Sequence, residues 1–268
     1  MSAPTPTLKI LPVECIYPHE EHDFQRSIPL KARLQQAEFW TNPPIVAPMG
    51  NDEYVILDGA NRYHTACSLG FHHILVQIAS YDSGLVDLGV WQHVVSHWQR
   101  VYLIERLQAL PGLRIEQGWN VHGIAQILLR DGVALWIDGP RDDLHARNAL
   151  LRQVVAVYRD HAKLDRVALD DPAEVWRLYP DGFALFRFPN YRPPDIFAAA
   201  QQKAFLPSGI SRHIIQGRAL RLNYPMSLLR DTHMSLESKN QHLHNWLLRK
   251  VEERAMRYYA ESTYQFDE

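Results

Sequence analysis

The chain has 268 residues, 46% of them hydrophobic and 22% charged, with only 13 glycines, which excludes disordered and collagen-like classes and leaves ample apolar material for one large core or two smaller ones. Lys and Arg number 28 against 30 Asp and Glu, a net charge of −2, so no global basic field exists to draw in nucleic acid or an anionic membrane surface. Two cysteines (Cys15 and Cys67) exclude a disulfide framework, Met1–Thr7 lacks a signal-peptide pattern, and no apolar run approaches the ~18 residues of a membrane span. A reduced, cytoplasmic, soluble protein is expected.

Residues 8–13 form a short apolar strand that Pro12 makes either an edge or a strand that ends early. The polar stretch His19-Glu20-Glu21-His22-Asp23 follows. Leu30, Leu34 and Ala37 recur at helical spacing within 29–40, and Asn42-Pro43-Pro44 ends that helix. Ile45-Val46-Ala47 and Tyr54-Val55-Ile56-Leu57 make a hairpin about the Gly50-Asn51-Asp52 turn. Asp58-Gly59-Ala60-Asn61-Arg62 then leads into a short helix that Gly70 terminates, and 74–78 is again a strand.

From Gly84 to about Leu110 the spacing of Trp91, Val94, Val95, Trp98 and Val101 predicts a long helix, stopped by Pro111-Gly112. Short apolar runs at 124–129 and 133–137 precede a linker at Gly139–Asp143 and a helix over 144–162. A strand at 182–188, a helix at 195–205, a strand pair at 211–215 and 219–223, and a closing helix over 238–259 complete the chain. The expected architecture is α/β (α+β): a nucleotide-binding domain at 1–84 and a mainly helical domain at 85–268 whose C-terminal strand pair completes the site.

The turn at Asp58–Arg62 carries the strongest local chemistry. A glycine opening a helix leaves several backbone N–H groups without internal partners, and the helix dipole adds roughly half a positive charge there. Arg62 adds a planar fork for phosphate, Asn61 and His64 add hydrogen bonds, and Asp58 offers a carboxylate for Mg²⁺ on phosphate oxygens. Taken alone, the same residues also describe an N-cap, a turn glycine and a surface charge. Of the 14 histidines, His93 and His97 have the i, i+4 spacing of metal ligands on a helix, but no Glu or Cys of a zinc motif accompanies them.

The strand, Asp-Gly-x-x-Arg turn and helix, preceded by Asn42-Pro43-Pro44-Ile45-Val46, resemble the nucleotide-binding domain of the ParB/sulfiredoxin superfamily. Sulfiredoxins place their catalytic cysteine where this chain has Ala60, so their activity does not carry over, and Ala60 also replaces the metal-serving glutamate of ParB proteins. The free L-serine kinases are a better match. His19-Glu20 resembles the segment carrying their catalytic glutamate, Ile56–Tyr63 their phosphate motif, Trp91-Gln92-His93 the position of their substrate-pocket tryptophan, and Gly209–Arg212 with Gly217–Asn223 their C-terminal segment.

The resemblance implies transfer of the terminal phosphate of ATP or ADP to free L-serine, with Mg²⁺ as cofactor. It assigns Glu20 and Asp58 to catalysis, Asp58 also to the metal, and Gly59, Ala60, Asn61, Arg62 and His64 to nucleotide. Trp91, Ser211 and Arg212 are assigned to the serine substrate. Two other readings stand beside it: a ParB-like DNA-binding regulator, against which the net charge weighs, and a catalytically inactive nucleotide-binding module.

Overall fold

The computed structural model describes residues 5–22 and 24–259, with 24–26 described by backbone alone. Most of the N-terminal stretch Met1–Pro4 and Asp23 of the polar stretch therefore lie outside the described residues. The chain divides into two compact units: Met1–Pro18, His22–Asp87 and His213–Glu268 form one, and His19–Glu21 with Leu88–Arg212 the other.

The first unit is built on a five-stranded sheet in the order Leu8–Pro12, His73–Ile78, Ile45–Gly50, Glu53–Asp58, Ile16–Tyr17. The hairpin between Ile45–Gly50 and Glu53–Asp58 turns through Asn51 and Asp52, both at positive φ (52° and 57°), the conformation that matches the twist of antiparallel strands. Ile10, Val46, Ile56, Ile74 and Leu75 are buried in one core with Trp40 and Tyr224. The indole N–H of Trp40 donates to the Leu75 carbonyl at 3.0 Å, which satisfies the one polar atom that this large side chain brings inside.

Leu8–Pro12 is an edge strand, as Pro12 predicts, and the C-terminal helix Leu236–Glu252 covers it. Asn240 of that helix donates to the Ile10 carbonyl and accepts from the Ile10 amide, both at 2.9 Å, so a side-chain amide stands in for a missing neighbour strand. This is why the C-terminal segment belongs to the first unit and not, as a division at residue 84 expects, to a single second domain.

The second unit is not mainly helical. Its centre is a six-stranded sheet in the order Lys163–Val167, Gln92–Ser96, Gly182–Arg187, Ala125–Leu129, Ala134–Asp138, Arg114–Gln117, antiparallel throughout. Helices Arg100–Gln108, Leu144–Arg159, Pro172–Leu178 and Pro193–Gln201 accompany it. The predicted helix over 84–110 is the principal error. Residues 86–90 and 92–96 are strands, and only Arg100–Gln108 is helical. Gln92–Ser96 are all buried, polar Gln92, His93 and Ser96 included, so Val94 and Val95 of this interior strand, with Trp91 before it and Trp98 after it, only mimic helical spacing.

The helix Leu144–Arg159 forms where expected, its N-terminus capped by the Asp143 carboxylate, which accepts from the Ala146 amide at 2.9 Å. Strand Ser211–Ile215 also forms, but its partner is Val86–Val90 and not 219–223, which is not a strand.

Candidate functional site

In the first unit, strand Glu53–Asp58 runs into Gly59 at φ 87° and then helix Ala60–Ser68. Only glycine fits there. Beyond the left-handed backbone, a Cβ would lie 2.9 Å from the Pro44 Cα and 2.8 Å from Arg62 Nη2. The first helical bond runs from the Tyr63 amide to the Gly59 carbonyl at 3.0 Å, so the amides of Ala60, Asn61 and Arg62 precede the hydrogen-bonded ladder.

Asp58 Oδ2 accepts from Arg62 Nη2 at 3.2 Å and from Arg218 Nη1 at 3.0 Å. Arg62 Nε and His64 Nε2 are buried without a hydrogen-bond partner among the described residues. Burial, followed by the charge of the His22 ring 4.5 Å away, pushes the His64 imidazole down to about 4. His64 is therefore neutral at pH 7, and the positive charge of this region comes from Arg62 and Arg218.

In the second unit the neighbouring carboxylates Glu20 and Glu21 have different surroundings. Glu21 faces Arg152 and Arg159 at 4.0 and 3.9 Å. Glu20 is drawn inward by a parallel bridge to Leu206, with the Leu206 amide on the His19 carbonyl at 2.9 Å and the Glu21 amide on the Leu206 carbonyl at 2.8 Å. The Glu20 side chain, only 17% exposed, accepts from the Gly209 amide at 2.7 Å through Oε2. Through Oε1 it accepts from the Ser211 amide at 2.8 Å and the Ser211 hydroxyl at 2.6 Å. The Ser211 hydroxyl donates its single proton to Glu20, so the 2.7 Å contact of Ser211 Oγ with His19 Nε2 requires His19 to be the donor.

A buried relay stands behind this arrangement. His93 Nε2 lies 3.2 Å from the Gly209 carbonyl, and His93 Nδ1 lies 2.7 Å from the Tyr158 hydroxyl. A carbonyl only accepts, so Nε2 carries the proton and Nδ1 accepts from Tyr158. Burial pushes His93 down to about 4 and outweighs the opposing effect of the Gly209 carbonyl, which keeps the ring in that neutral tautomer. The i, i+4 spacing of His93 and His97 does not fall on a helix: His93 is buried in a strand, and His97 follows it at φ 57°. Among the described residues, no group of three or more His, Cys, Asp or Glu is placed to hold a metal.

Trp91 lies between the two strands, its amide donating to the Ile210 carbonyl at 2.8 Å. The Arg212 guanidinium sits 4.8 Å from the centre of its ring. The Ser211 hydroxyl bonds to Glu20 and His19.

The structure thus groups Asp58, Gly59, Ala60, Asn61, Arg62 and His64 in one unit, and Glu20, Trp91, Ser211 and Arg212 in the other. His19, His93, Gly209 and Arg218 lie inside segments that the resemblance singles out, but their partners are decided by the tertiary structure; Tyr158, in the helix Leu144–Arg159, carries no local signal.

No family model matches the chain. It is 25% identical over 263 residues to the ATP-dependent L-serine kinase SbnI of Staphylococcus aureus, covering 96% of both chains. Its fold is similar to the solved structure of C-terminally truncated SbnI (TM-score 0.73, 24% identity, covering 92% of this chain and 97% of that one). It is also similar to a free serine kinase in complex with AMP (TM-score 0.72, 15% identity, 84% and 95% covered). The chain is therefore a relative, along almost its whole length, of an ATP-dependent L-serine kinase, and it has the fold of a free serine kinase.

Proposed function

We propose that the protein transfers the terminal phosphate of ATP or ADP to the hydroxyl of free L-serine, giving O-phospho-L-serine. The observation that carries this reading is the Glu20 carboxylate, held by three donors with Oε2 taking just one of them. A lone pair on Oε2 is left to accept the proton of a substrate hydroxyl. Full-length similarity to an L-serine kinase supports the choice of acceptor.

Phosphoryl transfer asks the protein for positioning and charge neutralisation more than for covalent chemistry. The bond between serine Oγ and the terminal phosphorus forms, the bond from that phosphorus to the bridging oxygen of the nucleotide breaks, and the serine proton passes to Glu20. The amides of Ala60, Asn61 and Arg62, the Arg62 guanidinium and neutral His64 take the phosphates. Trp91 walls the serine pocket, and Arg212, over its ring, offers a fork to the serine carboxylate.

Asp58 suits Mg²⁺ that arrives on the nucleotide: a single, partly exposed carboxylate is what a phosphate-bound ion with retained waters requires. When bound, the ion neutralises charge developing on the phosphate oxygens. The strand, glycine turn and helix order supports a ParB/sulfiredoxin-like nucleotide domain for the first unit. The free thiols Cys15 and Cys67 support action in the cytoplasm.

The test is incubation of the purified protein with Mg²⁺, L-serine and either nucleotide, with phosphorus NMR detection of phosphoserine. Product with at least one nucleotide is expected, and none with either overturns the reading. Retained nucleotide binding without product would favour an inactive module, and a salt-dependent shift of duplex DNA a regulator.

A further inference from the structure

Asp58 is met by a second arginine that the phosphate motif does not contain. Arg218 arrives from a segment 160 positions away and shares Oδ2 with Arg62. Its loop is fixed by Gln77, which is buried in strand His73–Ile78. The Gln77 amide donates to the Gly217 carbonyl at 2.9 Å and accepts from the Ala219 amide at 2.8 Å, so it grips the residues on either side of Arg218. Gly217, at φ 66°, provides the left-handed turn.

Stability does not account for this construction. The ion pair is about one-third exposed on both sides (35% for Arg218, 38% for Asp58), and such solvent-screened pairs contribute little to stability. The donors are also in excess. Each guanidinium has five N–H groups, a single carboxylate oxygen accepts about two, and Arg62 Nε is buried with no partner among the described residues. Two forks converging on one anionic oxygen suit an anion with several oxygens on more than one centre, which is the chemistry of a di- or triphosphate chain.

Resting on the nucleotide-binding reading above, we propose that Arg218 binds the phosphate chain beyond the group held by Arg62 and the helix amides, with Gln77 as its positioning residue. Arg218 thereby sets the preference for nucleoside di- and triphosphates over monophosphates.

The test is calorimetric titration of the full chain with AMP and with ADP, for wild type, Arg218→Ala and Gln77→Asn. Arg218 is at the surface, so its truncation leaves the fold intact. Arg218→Ala should weaken ADP about tenfold and leave AMP within about twofold. Gln77→Asn, whose shorter amide cannot span the Gly217 and Ala219 contacts, should show the same selective loss, whereas a merely structural role would weaken both nucleotides alike. Unchanged ADP affinity in Arg218→Ala, or equal losses for AMP and ADP, overturns the proposal. Failure of the wild type to bind either nucleotide overturns the underlying reading instead.

Discussion

The amide of Gly209 donates to Glu20 Oε2 at 2.7 Å across 189 positions of sequence, while the Gly209 carbonyl accepts from His93 at 3.2 Å. One glycine thus ties the proposed catalytic base to a buried imidazole. The base is oriented by the backbone of a distant segment and needs no flexible partner. That is the kind of pre-organisation a positioned proton acceptor requires.

Glu20→Gln removes the proton acceptor and turns one end of the side chain into a donor facing the Gly209 or Ser211 amide. Turnover to phosphoserine should fall at least about 100-fold. Nucleotide affinity, measured by calorimetry, should stay within about twofold, because the phosphate-binding residues lie elsewhere in the chain. Wild-type turnover in this variant would remove Glu20 from its role.

Gly209→Ala tests the anchor. Gly209 has φ 78°, and a Cβ there would overlap the Arg166 guanidinium, so the substitution is strained in two ways. Thermal denaturation should show a loss of ~1–3 kcal/mol, with kcat falling further than that loss explains. A destabilised variant with unchanged kcat would show that Gly209 matters to folding alone.

Arg212→Lys keeps the charge but gives up the planar fork and its stacking on Trp91. The KM for serine should rise about tenfold with kcat little changed, since a bidentate contact with the substrate carboxylate is lost in ground and transition states alike. Steady-state kinetics with serine varied checks this, and an unchanged KM would place the serine carboxylate elsewhere.

His93 makes stability depend on pH. Its folded value of about 4 lies below the ordinary 6.5, so above pH 6.5 both folded and unfolded states hold it neutral and its packing contributes in full. As pH falls from 6.5 toward 4 the unfolded chain takes up a proton that the folded chain refuses, and stability is lost, by ~2 kcal/mol at pH 5. His64 acts with the same sign. Urea midpoints at pH 7 and pH 5 should therefore differ, and His93→Gln, which can still donate to Gly209 and accept from Tyr158, should narrow the gap. A gap as wide as in wild type would assign the pH dependence to other groups.

The edge strand at Pro12, the hairpin about Asn51-Asp52, the helix after Gly59 and the capped helix at Asp143 were all legible in the sequence, because turns, caps and proline act through neighbours in the chain. The strands at 86–96 were not. Trp91, Val94 and Val95 fall at helical intervals, yet Gln92–Ser96 is buried as a central strand of a sheet, a condition its neighbours impose and local spacing cannot express.

The same division runs through the site. The sequence by itself determined the Asp58–Arg62 turn, since a left-handed glycine, free helix amides and an i, i+4 arginine are properties of consecutive residues. Only the tertiary structure decided that Glu20, and not Glu21, would be enclosed, and that Gly209, Ser211 and His93 would orient it. Only the tertiary structure brought Arg218 to Asp58 on a loop gripped by Gln77. The physical reason is that hydrogen bonds between residues roughly 100 to 200 positions apart depend on which segments the core brings together, and no local pattern of residue types encodes that.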